Sequence, residues 1–286
     1  MTDLDPMIAR RTWRTVEPIH GMIYFSPEAA AEFERLGLVG RTGYFGSRSA
    51  PMGAVGAEVV IATFYNFRPA LVRASIPEAW TRATPTEILA ARSVAADAAL
   101  RRSLPHAIGT PELAEAARLA RRAAETACEH VEGRPLFAGH ASLPWPEADH
   151  LVLWHAQTLL REYRGDGHIA ALVSAGLSGL EAAITHVATG DVPGAVLVST
   201  RAWPEDEWDA AVDGLRARGI VATGDELVLT EAGRAQRQWI EDATDAASVA
   251  AYEPLGEEGC ARLRALARPW SRAIIDGGLL SNLPPG

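Results

Sequence analysis

The sequence predicts a mainly α-helical protein made of two divergent copies of one helical unit, the second copy carrying a small β-hairpin. Three observations predict it. A pattern repeats at a near-constant offset, apolar residues recur at helical spacing along most of the chain, and a strand–turn–strand pattern is confined to residues 219–229.

The repeat runs Gly56-Ala57-Glu58, Pro69-Ala70-Leu71-Val72 and Trp80 in the first copy. Gly179-Leu180-Glu181, Pro193-Gly194-Ala195-Val196-Leu197 and Trp203 follow in the same order in the second. Upstream, Pro27-Glu28-Ala29 matches Pro146-Glu147-Ala148, and Arg48 and Arg164 each precede the glycine, by 8 and 15 positions. The chain of 286 residues is comfortable for two domains. The expected division is a degenerate first lobe over 1–103, a helical connector and loop over 104–144, and a second lobe with a trailing helix over 145–286.

In the connector, Leu113, Ala116, Ala117, Ala120, Ala124 and Cys128 make one apolar helical face, with Arg118, Arg121 and Arg122 interleaved. Residues 133–146 read as a loop punctuated by proline and glycine. Residues 148–164 read as a helix ended by Gly165, with Asp166 capping a further helix over 168–175. Short helices are expected over 179–187 and from Pro193, and a longer one over 205–218 behind Pro204. Strands over 219–222 and 227–229 flank the turn Gly224-Asp225-Glu226. Thr230 caps a helix over 231–242, and a last helix covers 257–275.

Composition narrows the chemistry. Hydrophobic residues make up 48% and charged residues 22%, the balance of a globular protein. The net charge of -9 offers no global basic field to nucleic acid or an anionic membrane. All 27 basic residues are arginine. A site built from this chain alone therefore has no lysine for a Schiff base or a phosphate loop. A GC-rich genome accounts for the arginine bias. Two cysteines, Cys128 and Cys260, make neither a disulfide framework nor a metal knuckle. The acidic opening Met1-Thr2-Asp3-Leu4-Asp5-Pro6 lacks the apolar core of a signal peptide, and no apolar run reaches bilayer length, so a cytoplasmic location is expected.

The run Leu215-x-x-x-Gly219-Ile220-Val221, a tight turn, then Leu229-Thr230-Glu231-Ala232-Gly233-Arg234 resembles the recognition helix, wing and following helix of MarR-like winged-helix regulators. Phe64-Tyr65-Asn66-Phe67, Leu143-Pro144-Trp145-Pro146, and the segment from Leu159 to His168 resemble a largely uncharacterised actinobacterial helix-turn-helix family over nearly the full length. The resemblance implies tandem winged-helix-like lobes, with one β-hairpin wing in the second. It implies no activity and carries no catalytic residues. No strand–turn–strand pattern follows the helix over 85–102, so the first lobe has lost its wing.

A recognition helix presents its amino-terminal residues to bases and phosphates. Here that end carries Glu205, Asp206, Glu207 and Asp209, with Asp213 one turn on, and the wing tip holds Asp225 and Glu226. Carboxylates facing phosphates oppose DNA binding, although acids in a first turn also stabilise any helix.

The candidate ligand-binding residues fall in two segments. On the helix over 151–164, His155, Thr158 and Glu162 share one face, with Trp154, Thr158 and Arg161 on an adjacent stripe. Arg164 and His168 follow directly. Tyr44, Arg48, Tyr65 and Asn66 lie in the first lobe, and His20 and Tyr24 stand near its start. Each has a plainer reading as a core aromatic, a cap or a structural ion pair. Two related lobes would pack about a pseudo-twofold axis with a pocket at their interface. Three functional readings stay open. The leading one is a small-molecule-binding protein derived from a winged-helix regulator, sensing or sequestering a ligand held between its lobes. The others are a MarR-like DNA-binding transcriptional regulator and an enzyme with His155, Glu162 or His168 as acid–base groups. No metal site or cofactor is legible, membrane attachment is not expected, and a monomer or a homodimer fits.

Overall fold

In the computed structural model, which describes residues 4–190 and 194–280, four early helices start on a proline directly behind a capping side chain. These are α1 (Pro6–Gly21) behind Asp5 and α2 (Pro27–Arg35) behind Ser26. After α3 (Arg41–Ser49), α4 (Ala57–Phe64), α5 (Pro69–Ser75) and α6 (Glu78–Arg82) come α7 (Pro85–Ser103) behind Thr84 and α8 (Pro111–Cys128) behind Thr110. Proline has no N–H to lose at that position, and the capping oxygen takes up an N–H that would otherwise be unpaired. α9 (Pro135–Ala141), α10 (Asp149–Ser174), α11 (Gly179–Val187), α12 (Gly194–Arg201), α13 (Glu205–Ala217), α14 (Glu231–Val249) and α15 (Gly256–Asp276) follow. Met1, Thr2, Asp3 and Pro193 lie outside the described residues.

α10 is the axis of the molecule. α8 packs along it, with α1, α14 and α9 around it and α7 near its start. The larger apolar core runs from Ala9 to Tyr163 and resumes from Val249 to Leu280. A smaller one gathers Leu172, Leu180, Ile184, Val212, Leu215, Val221, Leu229 and Ile240. α10 and α14 each contribute to both cores and so connect them.

The mainly α expectation holds, but the β-hairpin wing does not. Among the described residues there is no β-strand; Val221 and Leu229 make a single antiparallel bridge. The reason is burial. Val221 and Leu229 are 1% and 6% exposed, while the intervening residues are half-buried or exposed. A ladder needs a face to bury, and this segment offers one residue on each arm. The Arg216 guanidinium holds the tip instead, donating to the Gly224 carbonyl at 2.6 Å.

The expected break at Gly165 is also absent. α10 runs 26 residues straight through Gly165, Asp166 and Gly167. Glycine costs about 1 kcal/mol inside a helix, and burial on several sides outweighs that. The missing side chain has a packing use at Gly167, where a Cβ would stand 2.8 Å from Nη1 of Arg134. Asp166 is a cap, but for another helix. Its carboxylate accepts the Phe137 N–H at 2.9 Å, near the start of α9, whose own cap position supplies no side-chain bond. α9 itself occupies part of the segment expected to be a loop.

Candidate functional site

Nine of the thirteen residues singled out in the sequence meet in one largely buried cluster between α1, α3, α7 and α10: His20, Tyr24, Tyr44, Arg48, Trp154, His155, Thr158, Arg161 and Glu162. α10 presents the last five, and α3 brings Tyr44 and Arg48 one turn apart. Glu162 is the hub. Its Oε1 accepts from Arg161 at 2.8 Å and from Arg48 at 3.4 Å. Arg161 reaches on to Glu17 at 2.8 Å, and Arg48 donates to the Tyr44 hydroxyl at 2.9 Å. The Arg48 guanidinium lies 4.4 Å from the centre of the Phe64 ring and 5.2 Å from that of Tyr24. His20 links the two sides, bonding Thr158 through Nδ1 and the Tyr24 hydroxyl through Nε2, both at 2.8 Å.

Sequence reading missed Arg92 on α7, His140 on α9 and Gln157 on α10 itself. Arg92, from α7, is 3% exposed, and its guanidinium lies 5.0 Å from the centre of the Trp154 ring. Among the described residues it makes no ion pair. His140 and Gln157 are each 1% exposed. The available signal was weak: Arg92 sits in an alanine-rich helix at a position flanked by apolar neighbours, where a charge is out of place.

The electrostatics are those of a cationic interior. Burial pushes the Glu162 carboxyl up, but Arg161, Arg48 and Arg92 together outweigh it and hold it below its ordinary value. At Glu17 burial wins and the carboxyl is raised, despite Arg161. Burial, reinforced by the neighbouring arginines, holds His20 and His140 well below the ordinary histidine value. His155 falls to about 4 for the same reasons. All three imidazoles are therefore neutral at neutral pH. Arg48 and Arg161 stay charged, their phenol and carboxylate neighbours overriding the cost of burial.

Arg164 and His168 point elsewhere, into the seam between α10, α1 and α14. Arg164 donates to Asp245 at 2.7 Å and lies 4.8 Å from the centre of the Trp13 ring. Arg10 pairs with both Asp245 and Glu241 at 2.8 Å, and Arg237 with Glu241 at 2.7 Å. His168 bonds Thr244 at 2.9 Å, and burial lowers it to about 4. Tyr65 and Asn66 form a third place. Tyr65 adopts a φ of 28° at the end of α4, and its hydroxyl donates to the Leu177 carbonyl. The Trp203 indole donates to the Asn66 carbonyl at 3.0 Å, and Arg68 pairs with Glu207 at 2.8 Å. This turn is the cradle for α11 to α13. A Cβ on Gly179 would fall 1.8 Å from the Tyr65 carbonyl oxygen. The repeat-matched tryptophans thus do different work, since Trp80 donates to the nearby Val55 carbonyl.

α11 and α13 pack on each other in the smaller core, and α12 packs on α11. A helix-turn-helix family matches over residues 9–281, nearly the whole chain. The chain belongs to this family. No curated protein and no solved structure matches it.

In this helix-turn-helix protein the surface of α13 is acidic. Trp208, Asp209, Val212, Asp213, Arg216, Asp225 and Leu227 line a shallow groove there. Its two arginines are occupied: Arg216 pairs with Asp213 at 3.1 Å, and Arg218 with Glu181 at 2.8 Å. Among the described residues, no cluster of three His, Cys, Asp or Glu side chains is placed to hold a metal ion, and no single helix is long and apolar enough to cross a membrane. The cluster around Glu162 gathers guanidinium and ring N–H donors against aromatic faces. Glu162 is committed to two arginines, and His155 packs edge-on against Trp145 at 4.9 Å rather than bonding Glu162.

Proposed function

We propose that this protein binds a small organic molecule in the arginine- and aromatic-rich cluster around Glu162, on a scaffold shared with DNA-binding regulators. The observation that carries this reading is the burial of Arg48 and Arg92, with the half-buried Arg161 beside them, against Tyr24, Tyr44 and Trp154. Packed apolar side chains would stabilise such an interior better than charges do, so selection for stability alone does not account for it. The site lies beside the helix-turn-helix segment. Arg201, at the end of α12, extends over Phe67 at 4.4 Å, and Phe67 packs on Tyr44 at 5.6 Å. A ligand there would bear on the contact between the two cores, which suits a cytoplasmic sensor or carrier, as a monomer or a homodimer.

Native mass spectrometry of the full chain purified from an actinobacterial host tests this. The expected result is a bound small mass that disappears in a folded Arg161→Ala variant. A clean mass for the wild type would overturn tight sequestration.

Membership of a helix-turn-helix family supports a second reading, a DNA-binding regulator. It requires α13 or another surface to neutralise phosphates, which appears as a steep fall of affinity with salt.

A further inference from the structure

We infer that the ligand is a monocarboxylate whose charged group is anchored by Arg92, with the Trp154 indole as a neutral donor. This deepens the ligand-binding reading and rests on it. Charge counting carries the first step. The cluster holds three guanidinium groups, Arg48, Arg92 and Arg161, and two carboxylates, Glu17 and Glu162, with Arg201 as a further cation at its edge. The three histidines beside it are neutral. Positive charge is left over.

Geometry says which group carries that charge. Arg48 and Arg161 both bond Glu162, and Arg161 also bonds Glu17. Arg92 has no anionic partner among the described residues, and its Nη2 has no hydrogen-bond partner. An isolated buried cation is among the most costly groups a protein can hold, and it is retained where a counter-charge completes it.

The neighbouring donor points the same way. Trp154 Nε1 is buried without an acceptor, and Arg92 covers the Trp154 ring. Gln157, one turn on along α10, is turned to the Glu17 carboxylate instead. A neutral N–H donor beside an unpartnered guanidinium lacks only an acceptor. A carboxylate supplies two acceptor oxygens and the one negative charge that Arg92 lacks.

The test uses the full chain. Acetate, benzoate and octanoate are titrated calorimetrically, each against its own amide, and melting temperatures are recorded for wild type and Arg92→Met. At least one acid is expected to bind roughly tenfold or more tightly than its amide. Arg92→Met should abolish that preference while raising the ligand-free melting temperature by roughly 2–4 °C, because it removes the unpaired charge. A structural arginine gives the opposite sign. Equal affinity for acid and amide, no binding of any acid, or a lower ligand-free melting temperature in Arg92→Met overturns the inference. The mass-spectrometric result separates the two levels. A bound neutral molecule with no acid preference leaves ligand binding standing and removes the carboxylate; no bound mass and no titration signal remove both.

Discussion

Two buried arginine sites lie along α10, and they are built to opposite rules. Arg164 is 7% exposed and has carboxylates on hand: Asp245 at 2.7 Å and Glu241 at 3.7 Å, both shared with Arg10. Arg92 is 3% exposed and has none. The first site is a latch. It ties α1, α10 and α14 together, at the seam where the two apolar cores share helices. The second holds a surplus. The difference teaches that a buried charge announces binding only after its partners are counted.

The sharpest break of that comparison is at Asp245, itself 2% exposed. Asp245→Asn leaves Arg164 and Arg10 facing an uncharged amide. We expect a loss of about 3–5 kcal/mol in urea unfolding, because removing one partner strands the other in a poorly solvated place. Arg92→Met is expected to move stability the other way. If both variants destabilise alike, the two sites do not differ in kind.

Acid sharpens the comparison by a second route. His155 and His168 titrate near 4 in the folded chain, against about 6.5 when unfolded, and His20 and His140 are shifted the same way. The unfolded chain therefore binds more protons between pH 4 and 6.5. Stability is full above 6.5 and falls as pH drops through that window. Asp166, raised to about 6, opposes the trend, since there the folded form holds the extra proton below that pH. Histidines outnumber it, so the net slope is a loss toward acid. Three of the four histidines belong to the Glu162 cluster and one to the latch. His155→Gln should lower the slope of unfolding free energy against pH by up to one proton between pH 4.5 and 6. An unchanged slope would mean that His155 is already solvated in the folded state.

Much of this was legible in the sequence, in proportion to how local the cause is. Caps and helix-starting prolines act within three residues: Thr230 caps its helix as expected, and Asp5, Ser26, Thr84, Thr110 and Ser178, not named from the sequence, cap by the same local rule. The helical face of α10 likewise placed Trp154, His155, Thr158, Arg161 and Glu162 together. Longer-range causes were not legible. Gly165 and Gly167 look like a helix end until Arg134 is seen occupying the space above Gly167. Asp166 looks like a cap for its own helix, although it serves α9 across the fold. Arg164 shares the helix and chemistry of Arg161, and only the position of α14 assigns it to the latch. Arg92 needed the fold to show what it lacks. The wing failed for a related reason, since a hairpin pattern does not reveal how little core there is for its arms to cover.

The smallest expected effect on stability comes from α13, and it decides between the two functional readings. Asp206 and Asp209 are exposed and Glu205 opens the helix, so changing their charge leaves the core untouched. If acidity is what keeps this face off DNA, the triple variant Glu205→Gln/Asp206→Asn/Asp209→Asn should melt within a degree or two of wild type. It should also bind duplex DNA roughly tenfold more tightly at 50 mM salt, with a steeper salt dependence than wild type. Wild-type binding to DNA that already falls steeply with salt would place a phosphate-neutralising surface elsewhere on the molecule. The regulator reading would then gain, and the Glu162 cluster would be its effector site rather than a carrier's pocket. A variant and a wild type that both ignore DNA would instead leave α13 as a helix-turn-helix element kept for packing, docked on Tyr65 and Asn66 to close the smaller core.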